Sequence, residues 1–368
     1  MTCRERVSAV LNRQPIDRFP VDLWMTPEVT RSMCAHLGVD SEFAVYEALG
    51  VDKIAWLSPE LMSGKAAGTG AADLAVGDGD AEDGEVVTSP WGVKMRRQQA
   101  GAAVYYETMA PPLAAYETPE SLADYPYWPD PDGYDYDKFE ENARRLHAQY
   151  ATLGPWVSFF EIYCGLRGLE NSLTDLMINP DLVEAILDRV DSIQTGILER
   201  VLSRAADHID MVFISDDMGS QNNLLVSVDT WDQYFGDRLK RWCDLIHRHG
   251  VKVFYHSDGA VRDLLPRLVE AGIDVLNPIQ HVCPGMDREG LKRDFGERLI
   301  FHGAVENQQT LPFGSAEDVR QETLTDLRTL GAGGGGYIPC SCHYMQAGTP
   351  PENVIALVET VRQYTPGS

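Results

Sequence analysis

Positive charge is scarce in this chain: 31 Lys and Arg stand against 56 Asp and Glu in 368 residues, a formal net charge of −25. A field of that sign repels phosphate backbones and anionic bilayers, which argues against nucleic acid and against a membrane as partners. Most of the acidity reads as a solvated surface serving solubility, and an anionic substrate would have to meet locally placed Arg or Lys. No apolar run approaches the roughly 18 residues of a spanning helix. The opening Met1-Thr2-Cys3-Arg4-Glu5-Arg6-Val7 carries charge where a secretion signal needs an apolar core. The expectation is a soluble, cytoplasmic chain. Seven cysteines are an odd number in so long a sequence, which argues against a disulfide framework and leaves Cys3, Cys34, Cys164, Cys243 and Cys283 mostly as plain thiols. There is no fixed-period repeat. The glycine run 333–336 has no following Lys-Ser or Lys-Thr and enters a strand, so it reads as a flexible turn and not as a phosphate cradle.

What is present is a rhythm. Apolar residues make up 44% of the chain, enough to fill a barrel interior and a ring of helices. Short apolar runs alternate with helical periodicity: strands are expected at 53–57, 156–161, 210–215, 252–256, 274–277, 298–302 and 336–339, with a strand-like segment at 19–24. Helices are expected at 1–18, 27–37, 41–48, 136–150, 165–177, 180–205, 228–249, 260–271, 286–295, 316–330 and 351–364. Repeated βα units in one chain close most economically as a (β/α)8 barrel, the TIM-barrel class of α/β folds. From about 64 to 134 the texture changes to Gly, Ala, Asp and Pro with short β-like pieces at 85–88, 93–98 and 103–107. This predicts an antiparallel β insertion near the N-terminus within a single domain covering 1–368. A twofold homodimer is the modal expectation for such barrels.

The strands stop on side chains that can do chemistry, and in a barrel of this kind strand C-termini share one mouth. Tyr255 leads into His256-Ser257-Asp258-Gly259, whose alternation puts an imidazole and a carboxylate on one side of an extended backbone, suited to a metal or to a substrate needing donor and anion. Pro339 leads into Cys340-Ser341-Cys342-His343. This is not a structural zinc-finger spacing, so further ligands would come from elsewhere, with His256 the natural source. The alternative is that both cysteines pack under a loop. Ser215-Asp216-Asp217-Met218-Gly219-Ser220-Gln221 offers two carboxylates that point apart, one to the mouth and one to tie down the loop. Glu161 is a candidate acid or base, with a salt bridge to Arg167 as the bland alternative. Gln280, His302 and Glu306 rank below these, because tight βα turns explain their neighbouring Pro and Gly equally well.

The segments Arg18-Phe-Pro-Val-Asp-Leu-Trp, Asp216-Asp-Met-Gly-Ser-Gln, His256-Ser-Asp-Gly, Gly272-Ile-Asp-Val-Leu-Asn-Pro-Ile-Gln, Phe301-His-Gly-Ala-Val and, most specific, His343-Tyr-Met-Gln-Ala-Gly-Thr-Pro-Pro-Glu-Asn together resemble the uroporphyrinogen decarboxylase superfamily. The resemblance implies a (β/α)8 barrel and either decarboxylation or zinc-dependent methyl transfer with a corrinoid protein or a thiol. The decarboxylases carry an Arg-Gln-Ala-Gly-Arg segment for substrate carboxylates; here the matching place reads Trp24-Met-Thr-Pro-Glu-Val-Thr. The methyltransferases hold zinc with His-x-Cys and a later Cys; here Asp258 stands where the first Cys would be. The expectation is a metal-assisted methyltransferase acting on a small methylated substrate, with zinc held among His256, Asp258, Cys340, Cys342 and His343. Catalytic roles are expected for His256, His343, Asp217 and Glu161, and substrate contacts at Gln221, Asp216, Gln280 and His302. A corrinoid would sit on a separate partner protein. The alternative is a metal-independent decarboxylase of a small carboxylic acid or porphyrinogen-like substrate, with His343 or His256 protonating the carbanion. A corrinoid carrier or scaffold is disfavoured by the absence of an Asp-x-His-x-x-Gly motif.

Overall fold

The computed structural model describes residues 1–62, 84–100 and 103–365. Seven parallel strands form its centre, Ile54–Trp56, Ala151–Val157, Met211–Ser215, Lys252–His256, Val275–Asn277, Ile300–Val305 and Tyr337–Ser341, hydrogen-bonded in that order. Six of them are buried on both faces or nearly so, which is why they read as continuous apolar runs and not as alternating ones. The segment Phe19–Met25 lies between the last strand and the first and serves as the eighth stave. Asp22 N donates to Pro339 O (3.0 Å), Asp52 N to Val21 O (2.8 Å) and Met345 N to Trp24 O (2.8 Å). It does not form the regular strand the sequence suggests. Pro20 lacks a donor, and the Asp22 carboxylate intercepts Leu23 N (2.9 Å) and Ile54 N (3.2 Å), so the ladder is replaced by side-chain bonds.

The helices pack outside. Pro180–Ala205 buries Leu182, Val183, Ile186, Leu187, Val190, Ile193 and Ile197 at three- and four-residue spacing, the stripe an outer helix turns to a sheet. The expected first helix is shorter, Cys3–Leu11, closed at its start by a reciprocal Thr2–Glu5 capping box. The segment expected as one helix at 228–249 starts at Val228–Trp231, passes through a π turn at Asp232–Gly236, and resumes at Asp237–Arg248.

One strand boundary matters for the site. The second strand ends at Val157, not at 161, because it begins earlier, at Ala151, and accommodates Gly154-Pro155 at a register shift between Leu153 and Trp156. A Cβ on Gly154 would lie 2.0 Å from Leu57 O, so only glycine admits this close approach. Glu161 therefore sits on the following helix, Phe160–Arg167. The inserted element forms an antiparallel sheet of Val86–Thr88, Lys94–Ala100 and Ala103–Thr108. Trp91, Val93 and Met95 from this region face Trp156 and Ile162 of the barrel across a small apolar gap of about 50 Å³. The part of the insertion expected at 64–83 lies outside the described residues. No helix among the described residues is long and apolar enough to cross a membrane.

Candidate active site at the strand C-termini

His256 ends its strand, nearly buried, and its ring is held from behind: Nδ1 lies 2.6 Å from Asn277 Oδ1 on the neighbouring strand. Its other nitrogen, Nε2, faces the mouth, 3.7 Å from Asp217 Oδ1. His343 Nε2 lies 4.0 Å from Asp258 Oδ2, and the two imidazole centroids are 5.6 Å apart. One ligand atom from each of His256, Asp258 and His343 falls within 4.8 Å of the other two. Two imidazoles and a carboxylate, open to a cleft, make a donor set that zinc accepts in three-ligand sites. Burial pushes His343 below the ordinary histidine range, with the neighbouring Asp258 opposing that shift, so the ring is neutral and able to ligate near pH 7.

The two aspartates divide as alternation predicts. Asp216 turns inward and accepts from Ser158 Oγ (2.7 Å), Phe159 N (2.9 Å) and Phe160 N (2.6 Å), fixing the start of the helix that carries Glu161. Expected among the substrate contacts, it is instead 2% exposed and occupied by these donors. Desolvation raises its carboxyl to about 7 against those hydrogen bonds. Asp217 stays at the mouth, where its Oδ1 accepts from Asp258 N at 2.8 Å. Glu161 does not pair with Arg167, which binds Asp175 at 2.6 Å. Its Oε1 accepts a short hydrogen bond from Ser215 Oγ, and burial followed by the Asp217 charge holds its carboxyl well above the usual range.

Three other expectations are relocated. His302 is fully buried below the mouth, its Nδ1 2.8 Å from Asn277 Nδ2 and its Nε2 3.3 Å from Asp22 Oδ2, so it touches no cleft. Glu306 caps the turn Thr310–Phe313, accepting from Gln308 N, Gln309 N and Thr310 N at 2.5, 2.5 and 2.8 Å. Neither thiol joins the histidine and aspartate group. Cys340 lies within its strand and gathers with Asp22 and His302 in the barrel interior, and Cys342, past the strand end, is pressed into the cleft wall. Desolvation raises both thiols above the ordinary cysteine range.

Beside Asp258 and His343 opens a cleft of about 480 Å³, within the range of small-molecule sites. Gln221, Gln280, Asn307, Gln308 and Gln346 line it with carboxamides, and among the described residues no Lys or Arg lines it. Gln280 also accepts from Gly259 N at 2.8 Å, and its amide donates to Gln221 Oε1 at 3.3 Å. Sequence reasoning found Gln221 and Gln280 but missed Asn307, Gln308 and Gln346, which stand on loops with no distinguishing spacing. It also gave no role to Asn277 or Asp22. The signal for Asp22 was available: a carboxylate in the middle of the apolar run Phe19–Trp24 needs a buried partner.

Comparison with curated proteins yields no match. Among solved structures, a methyltransferase from Methanosarcina mazei superposes with a TM-score of 0.67 at 17% identity, covering 99% of this chain and 99% of that one. At that identity the likeness speaks for the fold alone. Dispersin B (TM-score 0.42, 9% identity, 95% of this chain and 99% of that one) and the 3-keto-D-glucoside 4-epimerase YcjR from E. coli (0.37, 14%, 62% and 88%) are more distant barrels that carry no argument. The model of the uroporphyrinogen decarboxylase (URO-D) family matches residues 93–364, a span that holds six of the seven central strands, all but Ile54–Trp56, and the chain belongs to that family.

Proposed function

We propose that this protein is a zinc-assisted methyltransferase that moves a methyl group between a small methylated substrate and a thiol or corrinoid acceptor. The observation that carries the reading is the convergence of His256, Asp258 and His343 within 4.8 Å at the barrel mouth. A bound zinc ion would lower the pKa of a thiol at its open position, giving a nucleophile near neutral pH without a strong base. His256 and His343 present ring nitrogens and Asp258 supplies a carboxylate. Asp217, half exposed and anchored by Asp258 N, is the carboxylate positioned to take the proton an acceptor thiol releases. The cleft carboxamides suit a neutral, hydrogen-bonding substrate. The methyltransferase fold of the Methanosarcina protein supports the reading at the level of architecture.

Decarboxylation of a small acid keeps one supporting feature, the Glu161 carboxyl, which burial and the Asp217 charge raise above the usual range and which could act as a proton donor to a carbanion. Two features weigh against it: burial lowers His343 below the ordinary histidine range, which makes it a poor proton donor, and among the described residues no Lys or Arg lines the cleft to meet a substrate carboxylate. The test is transfer itself. With methylcobalamin standing in as methyl donor and a small thiol as acceptor, zinc-loaded protein should transfer the methyl group to the thiol, followed by the corrin absorbance, and zinc-free protein should not. Equal rates with and without zinc would sink the reading.

A further inference from the structure

A chain of hydrogen bonds closed by an ion pair runs from the mouth into the barrel interior: His256, Asn277, His302, Asp22, Lys53. All five are buried, between 0% and 6% exposed. The links are His256 Nδ1 to Asn277 Oδ1 (2.6 Å), Asn277 Nδ2 to His302 Nδ1 (2.8 Å), His302 Nε2 to Asp22 Oδ2 (3.3 Å) and Lys53 Nζ to Asp22 Oδ1 (3.2 Å). We propose that Asp22 is a positioning residue that, acting through His302 and Asn277, sets the tautomer of His256 and keeps its Nε2 lone pair facing the mouth.

Proton placement along the chain is dictated from its charged end. Asp22 receives Leu23 N and Ile54 N on one oxygen and Trp24 Nε1 on the other, with the Lys53 ammonium beside it. Although burial opposes its ionisation, Lys53 and His302 bring its carboxyl down to about 2. An ionised carboxylate only accepts, so His302 Nε2 must carry a proton. Burial lowers His302 below the ordinary histidine range, so the ring is neutral and Nδ1 is a bare lone pair. Asn277 must therefore offer its NH2 to His302, which turns its carbonyl oxygen toward His256. That oxygen accepts only, so His256 Nδ1 carries a proton, and in the neutral tautomer the lone pair falls on Nε2. The orientation of the Asn277 amide, which atomic positions alone leave ambiguous, is thus settled by Asp22. The reverse orientation would aim a lone pair of His302 at the carboxylate.

Asp22→Asn reverses the logic. Leu23 N, Ile54 N and Lys53 hold the amide oxygen on their side, which leaves the NH2 facing His302 Nε2. His302 then becomes an acceptor there and a donor at Nδ1, Asn277 flips, and the His256 proton moves to Nε2. The experiment is long-range proton–nitrogen correlation spectroscopy of ¹⁵N-histidine protein in chelator, with His256 assigned by its loss in His256→Gln. The wild type should show a protonated Nδ1 and a bare Nε2 at His256, and Asp22→Asn should show the opposite. Competition with a chromophoric chelator should then show zinc affinity roughly 10–100-fold weaker in Asp22→Asn, as for other partners of metal-bound histidines. A wild-type His256 protonated at Nε2 overturns the proposal, and so does a pattern unchanged by Asp22→Asn. Because the wild-type spectrum needs no variant, it decides the tautomer even if the Asp22→Asn protein misfolds. The zinc consequence rests on the methyltransferase reading, whereas the tautomer is read without metal. The expected spectra with no zinc binding would refute that reading alone.

Discussion

Gly259→Ala tests whether the spacing of the site is set by backbone contact between two βα loops. Gly259 has φ +87, and a Cβ there would sit 2.4 Å from Ser220 O, where ordinary contact begins at 3.4 Å, so the loops would have to part by about 1 Å. Gly219 shows the same closeness from the other side, 2.3 Å from Asp258 O. The loops are also joined by Ala260 N to Ser220 O (2.8 Å), Asp258 N to Asp217 Oδ1 (2.8 Å) and Met218 N to Ser257 Oγ (2.9 Å). The left-handed backbone costs alanine about 1–2 kcal/mol. Overpacking adds about 1–3 kcal/mol. Separation of the loops shifts Asp258 and Asp217 relative to His256, and a displacement near 1 Å costs on the order of 100-fold in rate. Gly38→Ala is the control, since its φ is +70 with nothing within 4 Å, and it should lose only the backbone share. Urea unfolding gives the stabilities, and methyl transfer gives the rate. If Gly259→Ala were no less stable than Gly38→Ala and kept wild-type turnover, the backbone contact would not be what spaces the site.

The raised carboxyl of Glu161 gives a pH signature. Its folded-state value lies well above the ordinary 4.5, so the native state holds a proton the unfolded chain releases. The associated stability is full below about 4.5 and falls as pH rises toward the folded-state value. Glu161→Gln should flatten that slope in urea titrations between pH 5 and 8, and parallel slopes for the two proteins would refute the assignment. Cys340→Ser and Cys342→Ala should both retain stoichiometric zinc by elemental analysis, since neither thiol joins the histidine and aspartate group. Loss of metal in either would return a thiol to the ligand set.

The barrel was legible because its inner strands, such as Met211–Ser215 and Lys252–His256, are buried on both faces and therefore continuous in hydrophobicity. The exceptions have local causes. The sequence puts Glu161 at a strand end because the apolar run Val157-Ser-Phe-Phe leads into it, whereas the strand runs from Ala151 through Gly154-Pro155 and stops at Val157. The split of Asp216 from Asp217 followed from alternation alone. The depth of His302 and Cys340 did not, because both strands continue past the positions where their apolar runs stop, to Val305 and Ser341. A side chain one pleat short of the strand end points into the interior and not into the mouth. Asn277 was invisible for a different reason: its function is to join two histidines on flanking strands, and that relation exists only once the register pairs Asn277 with His256.

The most direct test of the ligand set is zinc stoichiometry and affinity in the wild type and in His256→Ala, Asp258→Ala and His343→Ala, measured on folded protein purified without chelators. The expected result is one zinc per chain in the wild type and loss of tight binding in each variant, with circular dichroism unchanged. A folded wild-type protein that binds no zinc, or variants that all bind it as the wild type does, would contradict the proposed zinc site.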